Sequence, residues 1–371
     1  MAADGLALRG AGRGQGRILA AGVLSLVFYA TSQLLPPTDR LSWSPPMRRA
    51  ASQMARAVRS TRDHCAARGI EIDRVLDPNG TGLIGPEVGE LWTTVGHLEA
   101  KRTTTSPDMA ALMAHLLERA GVGPGGIVGI ASSASFPGLL VATVCAADAL
   151  EARPVVILSL GASSYGATRS GFHLLDLHQL LMGADLLAVP PAAVSLGGEL
   201  DAGLELEPTV KRQLLDQIRD GGHRLILETD LRANVGQRMS LYEEASDGRA
   251  LAAFVNIGGS RASLGTSPHV LSLPPGLLPP AETPVPMEGR GLLEEMRAAG
   301  VPVIHLLYVR GLAQRYGIPW DPVPLPTPGT SDLRDPDAAP SPLGAALAGL
   351  YLAGLAGVFG LGRRRDGSGQ G

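Results

Sequence analysis

The sequence predicts an α/β fold with a doubly wound, mostly parallel sheet, flanked by an N-terminal and a C-terminal transmembrane helix. From residue 121 onward, short β-rich apolar runs alternate with helical patterns, which is typical of parallel strands with helices on both faces. An uncharged apolar run also stands near each end of the chain, beside a group of arginines. The apolar content of 45% in 371 residues is ample for a core.

The N-terminal run predicts a membrane anchor at residues 18–35, after a basic tail at residues 1–17 that contains Arg9, Arg13 and Arg17. A cleaved signal peptide is the alternative. The run is long for the apolar part of a signal peptide, and Pro36 and Pro37 follow without a small-x-small cleavage site. We therefore expect an uncleaved anchor and a linker at residues 36–46.

The C-terminal run repeats this arrangement. Residues 343–361 are predicted to span a membrane, and the Arg-rich tail at residues 362–371 follows. The positive-inside rule then puts both termini in the cytoplasm and the domain at residues 47–318 outside it, joined by a structureless Pro-rich linker at residues 319–342. A sorting tail that is removed after processing is the alternative for this run.

The pattern within the domain predicts its elements in order. An amphipathic helix is expected at residues 47–68, ending before Gly69. The predicted strands cover residues 127–131, 155–160, 185–189, 225–228, 252–257 and 301–306. The predicted helices between and after them cover residues 139–150, 172–182, 209–220, 231–245 and 292–299.

Residues 98–108 combine two cations, three threonines and a helix start. Ser106 is a good N-cap and Pro107 suits the first helical position, so the stretch predicts an anion site beside a helix N-terminus. Lys101 and Lys211 are the two lysines of the chain, which otherwise uses arginine, so a compact ammonium is indicated at Lys101. A solvated, capped helix entry is the alternative. The candidate ligand residues here are Lys101, Arg102, Thr103, Thr104 and Thr105.

Three predicted strands end in loops rich in glycine and small polar residues. Ligands of such sheets bind beyond the carboxyl ends of the strands, so these loops predict one shared site, although ordinary turn chemistry explains each loop alone. The candidate ligand residues of the three loops are Ser133, Ser135 and Gly138, then Ser163 and Ser164, and then Asn256, Gly258 and Gly259.

Several kinds of chemistry are disfavoured by the motifs. There is no P-loop and no dinucleotide fingerprint after a strand, so we expect no nucleotide cofactor. The G-x-S-x-G turn typical of many hydrolases is also absent. Ser133 or Ser135 with Lys101 as a base would make a hydrolase, but no motif places them together. The net charge of −3 and the lack of a basic stripe disfavour a nucleic-acid partner.

Two segments carry metal-ligand residue types. Residues 77–84 look like the opening half of a calcium loop, but the closing carboxylate is misplaced and a Gly/Asn turn explains them equally well. His173, Asp176 and His178 have spacing that straddles a helix, which favours a structural role. We therefore predict no metal.

Six segments together resemble the poly-γ-glutamate system protein family. They are DPNGTGLIG at residues 77–85, LEAKRTTT at 98–105, SFPG at 135–138, SLGAS at 159–163, FVNIGG at 254–259 and GVPVIHLL at 300–307. The resemblance runs from about Met47 to Pro322 and implies a part in making or exporting poly-γ-glutamate, beside the membrane subunits of that system. It carries no catalytic residues over to this chain.

Three functions are compatible with that resemblance. The expected one is a membrane-anchored component that binds the anionic polymer or assists its export, because the polymer offers one free carboxylate per unit. The alternatives are an extracytoplasmic hydrolase or transferase that cleaves or releases the polymer, and a membrane scaffold of the synthetic complex.

Overall fold

The computed structural model describes residues 4–34, 39–281, 288–338 and 341–360. The chain divides into two compact units. One unit combines the terminal segments, up to Leu41 and from Arg334 onward, and the other is Ser42–Leu333. The candidate ligand residues all lie in the second unit.

The described residues of the second unit form nine strands in two sheets. The strands are β1 (Trp92–Thr94), β2 (Ile127–Ser133), β3 (Arg153–Ser159), β4 (Ala162–Ser163), β5 (Ala193–Ser195), β6 (Leu225–Ile226), β7 (Ala253–Ile257), β8 (Gly276–Leu278) and β9 (Val303–His305). Seven strands form one sheet in the order β6-β5-β3-β2-β7-β9-β8, in which only the β8–β9 pair is antiparallel. The parallel pair β1–β4 forms the second sheet. The predicted α/β class with a mostly parallel sheet is confirmed.

Ten helices of four or more residues accompany these strands in the part of this unit that the structure describes. They are α2 (Pro45–Ala67), α3 (Leu98–Thr103), α4 (Pro107–Arg119), α5 (Pro137–Ala149), α6 (Leu174–Gly183), α7 (Pro208–Asp220), α8 (Leu231–Ala245), α9 (Arg261–Leu264), α10 (Leu292–Ala298) and α11 (Val309–Tyr316). Helices α2, α4 and α5 pack against one another, and α8, α9 and α10 form another group. Strand β2 is buried along its whole length and lies in the middle of the large sheet.

The strand predicted at residues 185–189 is wrong. Asp185 has a left-handed backbone at the end of α6, and the strand that joins the sheet is β5, eight residues later. Pro190 and Pro191 separate the two segments, and proline has no backbone N–H to donate to a neighbouring strand. The apolar composition of residues 185–189 was therefore a poor guide to the position of the strand.

The Pro-rich segment after residue 318 is not a structureless linker throughout. The side chain of Asn79 donates to the carbonyl of Pro322 over 2.9 Å and accepts from the backbone of Leu325 over 3.1 Å. The carboxylate of Asp108 accepts from the backbone N–H groups of Gly329 and Ser331, over 2.8 and 2.9 Å. Residues 319–333 therefore belong to the folded domain, because side chains far away in sequence satisfy their backbone groups.

The unit of terminal segments contains helices α1 (Asp4–Ser32) and α12 (Pro342–Gly360), which contact each other. The rings of Phe28 and Tyr351 stack at 4.4 Å, and the Tyr351 hydroxyl lies 2.9 Å from that of Ser25. Within the described part of the chain, one helix segment is long and apolar enough to cross a membrane, Pro342–Phe359. Helix α1 includes residues 18–32 of the predicted N-terminal span, while residues 35 and 361 lie outside the described residues.

Candidate functional site

A cleft of about 830 Å³ opens at the carboxyl ends of the parallel strands. Its wall is built by the segments that follow β2, β3, β5, β7 and β9, together with residues 93–101 and Trp320. This is the position at which open parallel sheets bind their ligands. Five of the predicted ligand residues line it, namely Lys101, Ser133, Ser135, Ser163 and Gly259.

Lys101 lies on α3 with only 2% of its surface exposed. Its Nζ atom donates to the carbonyl oxygen of Ser135 over 2.5 Å and to Oγ of Ser163 over 2.6 Å. The ring of Phe136 covers a third side, with its centroid 3.7 Å from Nζ. Burial lowers the pKa of Lys101 to about 7, since no carboxylate of the described residues pairs with it. Near pH 7 the Lys101 amine is therefore neutral in a large share of the protein molecules.

Ser135 is hydrogen-bonded to both Lys101 and Ser163. It lies in the turn between β2 and α5, where its carbonyl accepts from Lys101. Its hydroxyl oxygen accepts from the backbone N–H of Ser163 over 3.0 Å. Ser163 itself belongs to β4 and is paired with Thr94 of β1. The short β1–β4 sheet and Ser135 together hold the Ser163 hydroxyl against the lysine.

Gly96 leaves the room that this arrangement needs. A Cβ atom at position 96 would lie 3.1 Å from Oγ of Ser163, 3.2 Å from Cε of Lys101 and 2.8 Å from the carbonyl oxygen of Ser164. The last distance is shorter than real Cβ contacts, and backbone cannot move aside as a flexible side chain can. Glycine is therefore required here by packing.

Ser133 contributes a hydroxyl to which no group of the described residues is hydrogen-bonded. Its Oγ atom is buried and has no hydrogen-bond partner among the described residues, although the residue lines the cleft. Gly258 has a φ of +98°, and a Cβ atom there would lie 2.0 Å from that Oγ. A buried hydroxyl without a partner costs free energy, so a bound ligand or water is the natural partner for Ser133.

The other four candidate ligand residues of the 98–108 stretch do not line the cleft. Arg102 forms a two-pronged ion pair with Asp321, over 2.6 and 2.5 Å. The hydroxyls of Thr103, Thr104 and Thr105 donate to backbone carbonyls three or four residues earlier. These four side chains are therefore used by the fold, and their prediction as ligand residues is not supported by their positions.

The predicted anion site at the start of α4 is closed. Ser106 and Asp108 are fully buried, and residues 329–331 cover this end of the helix. The Ser106 hydroxyl makes no capping hydrogen bond, contrary to expectation. The acidic side chain of Asp108 serves backbone N–H groups from the Pro-rich segment, which the local sequence does not reveal.

Four more predicted residues have packing or structural roles. Gly138 allows α5 to approach the end of α3, since a Cβ atom there would lie 2.6 Å from the carbonyl oxygen of Thr104. The Ser164 hydroxyl accepts from the indole of Trp92 over 3.0 Å. Asn256 is buried and donates to the carbonyl of Gly258. Neither Asn256 nor Gly258 lines the cleft.

The loop after β5 lines the cleft and was not predicted. It contains Gly197, Gly198, Leu200 and Asp201, all with positive φ. Below it, the Asp201 carboxylate accepts from the Ser195 hydroxyl over 2.7 Å and pairs with a buried arginine of α8. The Gly197-Gly198 pair directly after an apolar run was the available signal, and the strand wrongly predicted at residues 185–189 hid it.

Charged side chains are distributed unevenly around the cleft. Arg261 and Arg310 follow β7 and β9 on one side of the central strand. Glu199 and Glu205 follow β5 on the other side, and Glu99 stands on α3. The cleft therefore offers one cationic wall and one acidic wall, with Lys101 as a further amine.

The segments with metal-ligand residue types have structural roles. Asp77 accepts from the Thr81 hydroxyl and the Gly82 backbone, over 3.0 and 2.8 Å. His173 caps the start of α6, where its Nδ1 accepts from the backbone of Leu175. Within the described ranges, no group of three or more His, Cys, Asp or Glu residues is arranged to hold a metal ion.

Comparison of the chain with family models, with curated proteins and with solved structures finds no match in any of the three.

Proposed function

We propose that this chain is a membrane-anchored component of a poly-γ-glutamate system and that its cleft binds the anionic polymer. The proposed domain is doubly wound and lies outside the cytoplasm, where a polymer is a better candidate ligand than a nucleotide. The proposal is supported by the resemblance of six sequence segments to that family and by the composition of the cleft.

One observation carries the proposal. Residues from four separate segments that we expected to meet a ligand lie in the same cleft, namely Lys101, Ser133, Ser135, Ser163 and Gly259. Each unit of γ-linked polyglutamate carries one carboxylate and one amide. Hydroxyls, an ammonium group and exposed backbone beside glycine are suitable partners for both groups.

The charge distribution suggests how the polymer lies. Carboxylates are attracted to the wall that carries Arg261 and Arg310, both of which are exposed. The Arg310 guanidinium also lies 5.6 Å from the ring centroid of Trp320, which limits its range of positions. The acidic wall with Glu199 and Glu205 repels carboxylates, so only one side of the cleft attracts them.

The terminal helices support a membrane anchor. Helix α12 is uncharged along Pro342–Phe359, and large apolar side chains of α1 and α12 are exposed, including Leu26, Val27, Leu350 and Leu352. Exposed apolar side chains of this number are unfavourable in water and favourable in lipid. With arginines before the first run and after the second, we propose that both termini are cytoplasmic.

Binding is tested with the full chain in detergent micelles and fluorescently labelled poly-γ-glutamate, followed by anisotropy. We expect saturable binding that weakens as salt rises. The double variant Arg261→Ala and Arg310→Ala should bind about tenfold more weakly, because each exposed charge contact contributes roughly 0.2–1 kcal/mol. The matched control, Arg62→Ala with Arg219→Ala, removes two arginines outside the cleft. Equal affinity of both double variants, or no binding at all, would refute the proposal.

The hydrolase or transferase alternative also has a specific observation in its favour. Lys101 has a lowered pKa, and its amine contacts a serine hydroxyl within the cleft. Contacts of this kind activate serine nucleophiles in enzymes.

A further inference from the structure

The amine of Lys101 and the hydroxyl of Ser163 lie 2.6 Å apart in the wall of the cleft. We infer that these two residues form a catalytic dyad, in which Ser163 is the nucleophile and Lys101 the general base of acyl transfer from an amide substrate. The choice of poly-γ-glutamate as the source of that amide rests on the proposed function. The dyad itself rests on the geometry of the cleft.

The two contacts of the lysine amine have different chemistry. The carbonyl of Ser135 can only accept a hydrogen bond, so it takes an N–H of Lys101 in either protonation state. The Ser163 hydroxyl can donate as well as accept. When the amine is neutral, its lone pair is therefore available to the Ser163 hydroxyl proton, which is the arrangement a general base requires.

The environment of Lys101 favours the neutral amine. The side chain is buried, and burial lowers its pKa to about 7, close to the pH at which a general base is most effective. The remaining titratable groups of the cleft are His97 and Glu99 on the α3 side, Glu199 and Glu205 after β5, and Arg261, Arg310 and Tyr308 on the far side. None of them forms a hydrogen bond or an ion pair with the lysine within the described part of the chain.

Ser163 is a better nucleophile than the two serines that the sequence suggested. The Oγ atom of Ser135 accepts from the backbone of Ser163, and Lys101 contacts the carbonyl of Ser135 rather than its hydroxyl. The Ser133 hydroxyl has no base beside it among the described residues. Ser135 is therefore a positioning residue for both members of the dyad, and Ser133 is a hydroxyl left for the substrate.

The reaction balances with water as the second substrate. The Ser163 hydroxyl transfers its proton to the neutral Lys101 amine, and Oγ forms a bond to the amide carbonyl carbon. The carbon–nitrogen bond then breaks, and the proton passes from Lys101 to the departing amine, which leaves an acyl ester on Ser163. Water attacks the ester, Lys101 takes its proton, and Ser163 regains a hydrogen as the carboxylic acid leaves. An amine in place of water gives transfer instead of hydrolysis.

The substrate class follows from the surroundings of the dyad. Lys101 and Ser163 lie in a cleft with a cationic wall, so the acyl chain that reaches them carries carboxylates near the scissile amide. A γ-linked glutamate chain has this chemistry at every unit. A cleft of about 830 Å³ is large enough for several units of such a chain.

The dyad is tested with a fluorophosphonate probe on the full chain in detergent micelles. Oγ of an activated serine attacks the probe phosphorus and releases fluoride, and the modified peptide is identified by mass spectrometry. We expect labelling at Ser163 whose rate rises with pH through about 7. Lys101→Met should slow labelling by roughly 10²–10⁴-fold, the usual contribution of a general base. The matched control is Lys211→Met, because Lys211 is the other lysine and lies outside the cleft.

The same samples are incubated with poly-γ-glutamate, and chain length is followed by size-exclusion chromatography. Shortening by the wild type and by Lys211→Met, but not by Ser163→Ala, would support the dyad. Two results with the wild-type protein alone would overturn the dyad: labelling of a serine other than Ser163, or labelling that is independent of pH between 6 and 8. Thermal unfolding of Ser163→Ala and Lys101→Met at or above the wild-type temperature shows that lost labelling is not lost folding.

The dyad and the polymer-binding proposal fail in different ways. Polymer that binds without labelling or shortening would overturn the dyad and leave the proposed function in place. Labelling at Ser163 without any polymer binding would overturn the proposed function and leave the dyad. In that case the amide bond that the dyad cleaves lies in a carboxylate-bearing compound other than poly-γ-glutamate.

Discussion

The carboxylate of Asp201 lies 2.5 Å from Nη2 of Arg238, and 3% and 1% of these two side chains are exposed. Arg238 also donates to the hydroxyl of Ser195 over 3.0 Å and to the side chain of Asn234 over 2.8 Å. The pair joins the loop that forms the acidic wall of the cleft to helix α8. A buried charge is tolerated only with such partners, so the pair constrains the position of the loop.

Replacing one member of this pair should destabilise the domain. Arg238→Leu leaves the Asp201 carboxylate buried without its counter-charge, and we expect a loss of ~3–5 kcal/mol in the free energy of unfolding. Denaturant unfolding of the full chain in micelles measures it. Arg219→Leu removes an exposed arginine that pairs with Asp216, and should change stability by less than ~1 kcal/mol. Similar losses in both variants would show that burial of the Asp201–Arg238 pair does not matter.

Replacing Lys101 by arginine should separate binding from catalysis. Arginine keeps a positive charge at every pH that the fold tolerates and cannot act as a general base. We expect Lys101→Arg to retain polymer binding within a few-fold and to lose fluorophosphonate labelling of Ser163 at pH 8. Anisotropy and mass spectrometry on one sample measure the two properties. Labelling at the wild-type rate would contradict the role of Lys101 as a base.

Lys101 should also make stability depend on pH above neutrality. Its pKa is lowered from 10.5 to about 7 in the folded protein, so between these values the unfolded chain binds more protons than the folded one. The contribution of Lys101 to stability therefore rises from pH 7 to 10.5. Lys101→Met should be more stable than the wild type at pH 7, with a smaller difference at pH 10. A constant difference across this range would mean that the lysine is fully charged in the fold.

Replacing Gly96 by alanine should disturb the dyad selectively. The added methyl group would meet the Ser164 carbonyl and crowd Ser163 and Lys101, so the Nζ–Oγ contact should lengthen. We expect a loss of labelling of Ser163 of at least tenfold. Gly171→Ala is the matched control, because a Cβ atom at position 171 has no atom within 4 Å. A Gly96→Ala protein that labels as fast as this control would rule out the tight packing.

His178 should contribute to acid destabilisation. Both of its ring nitrogens are buried without hydrogen-bond partners among the described residues, and burial, with a smaller effect of His223, lowers its pKa from 6.5 to about 4. Between these values the unfolded chain binds more protons, so stability falls as pH falls from 6.5 to 4. His178→Leu should weaken this dependence in unfolding experiments at pH 7 and 5. His269→Leu, at an exposed histidine, should leave it unchanged.

Much of the fold could be predicted because its signals are local. The helix at residues 231–245 has the predicted bounds, and β2 and β7 lie where short apolar runs indicated strands. The segment at residues 185–189 shows the limit of this reasoning, since apolar composition does not show which of two neighbouring runs pairs with β3. The short strands β1, β4 and β8 have too few residues for a periodic pattern.

The sequence by itself determined that glycine- and serine-rich loops follow the strands, because the parallel α/β pattern brings the carboxyl ends of strands to one edge. It also singled out Lys101 as one of two lysines. Only the tertiary structure decided which groups meet there. Lys101 and Ser163 are 62 residues apart, and Arg102 turns to Asp321, 219 residues away. Side-chain partners at such separations depend on how whole elements pack, and no local periodicity records that packing.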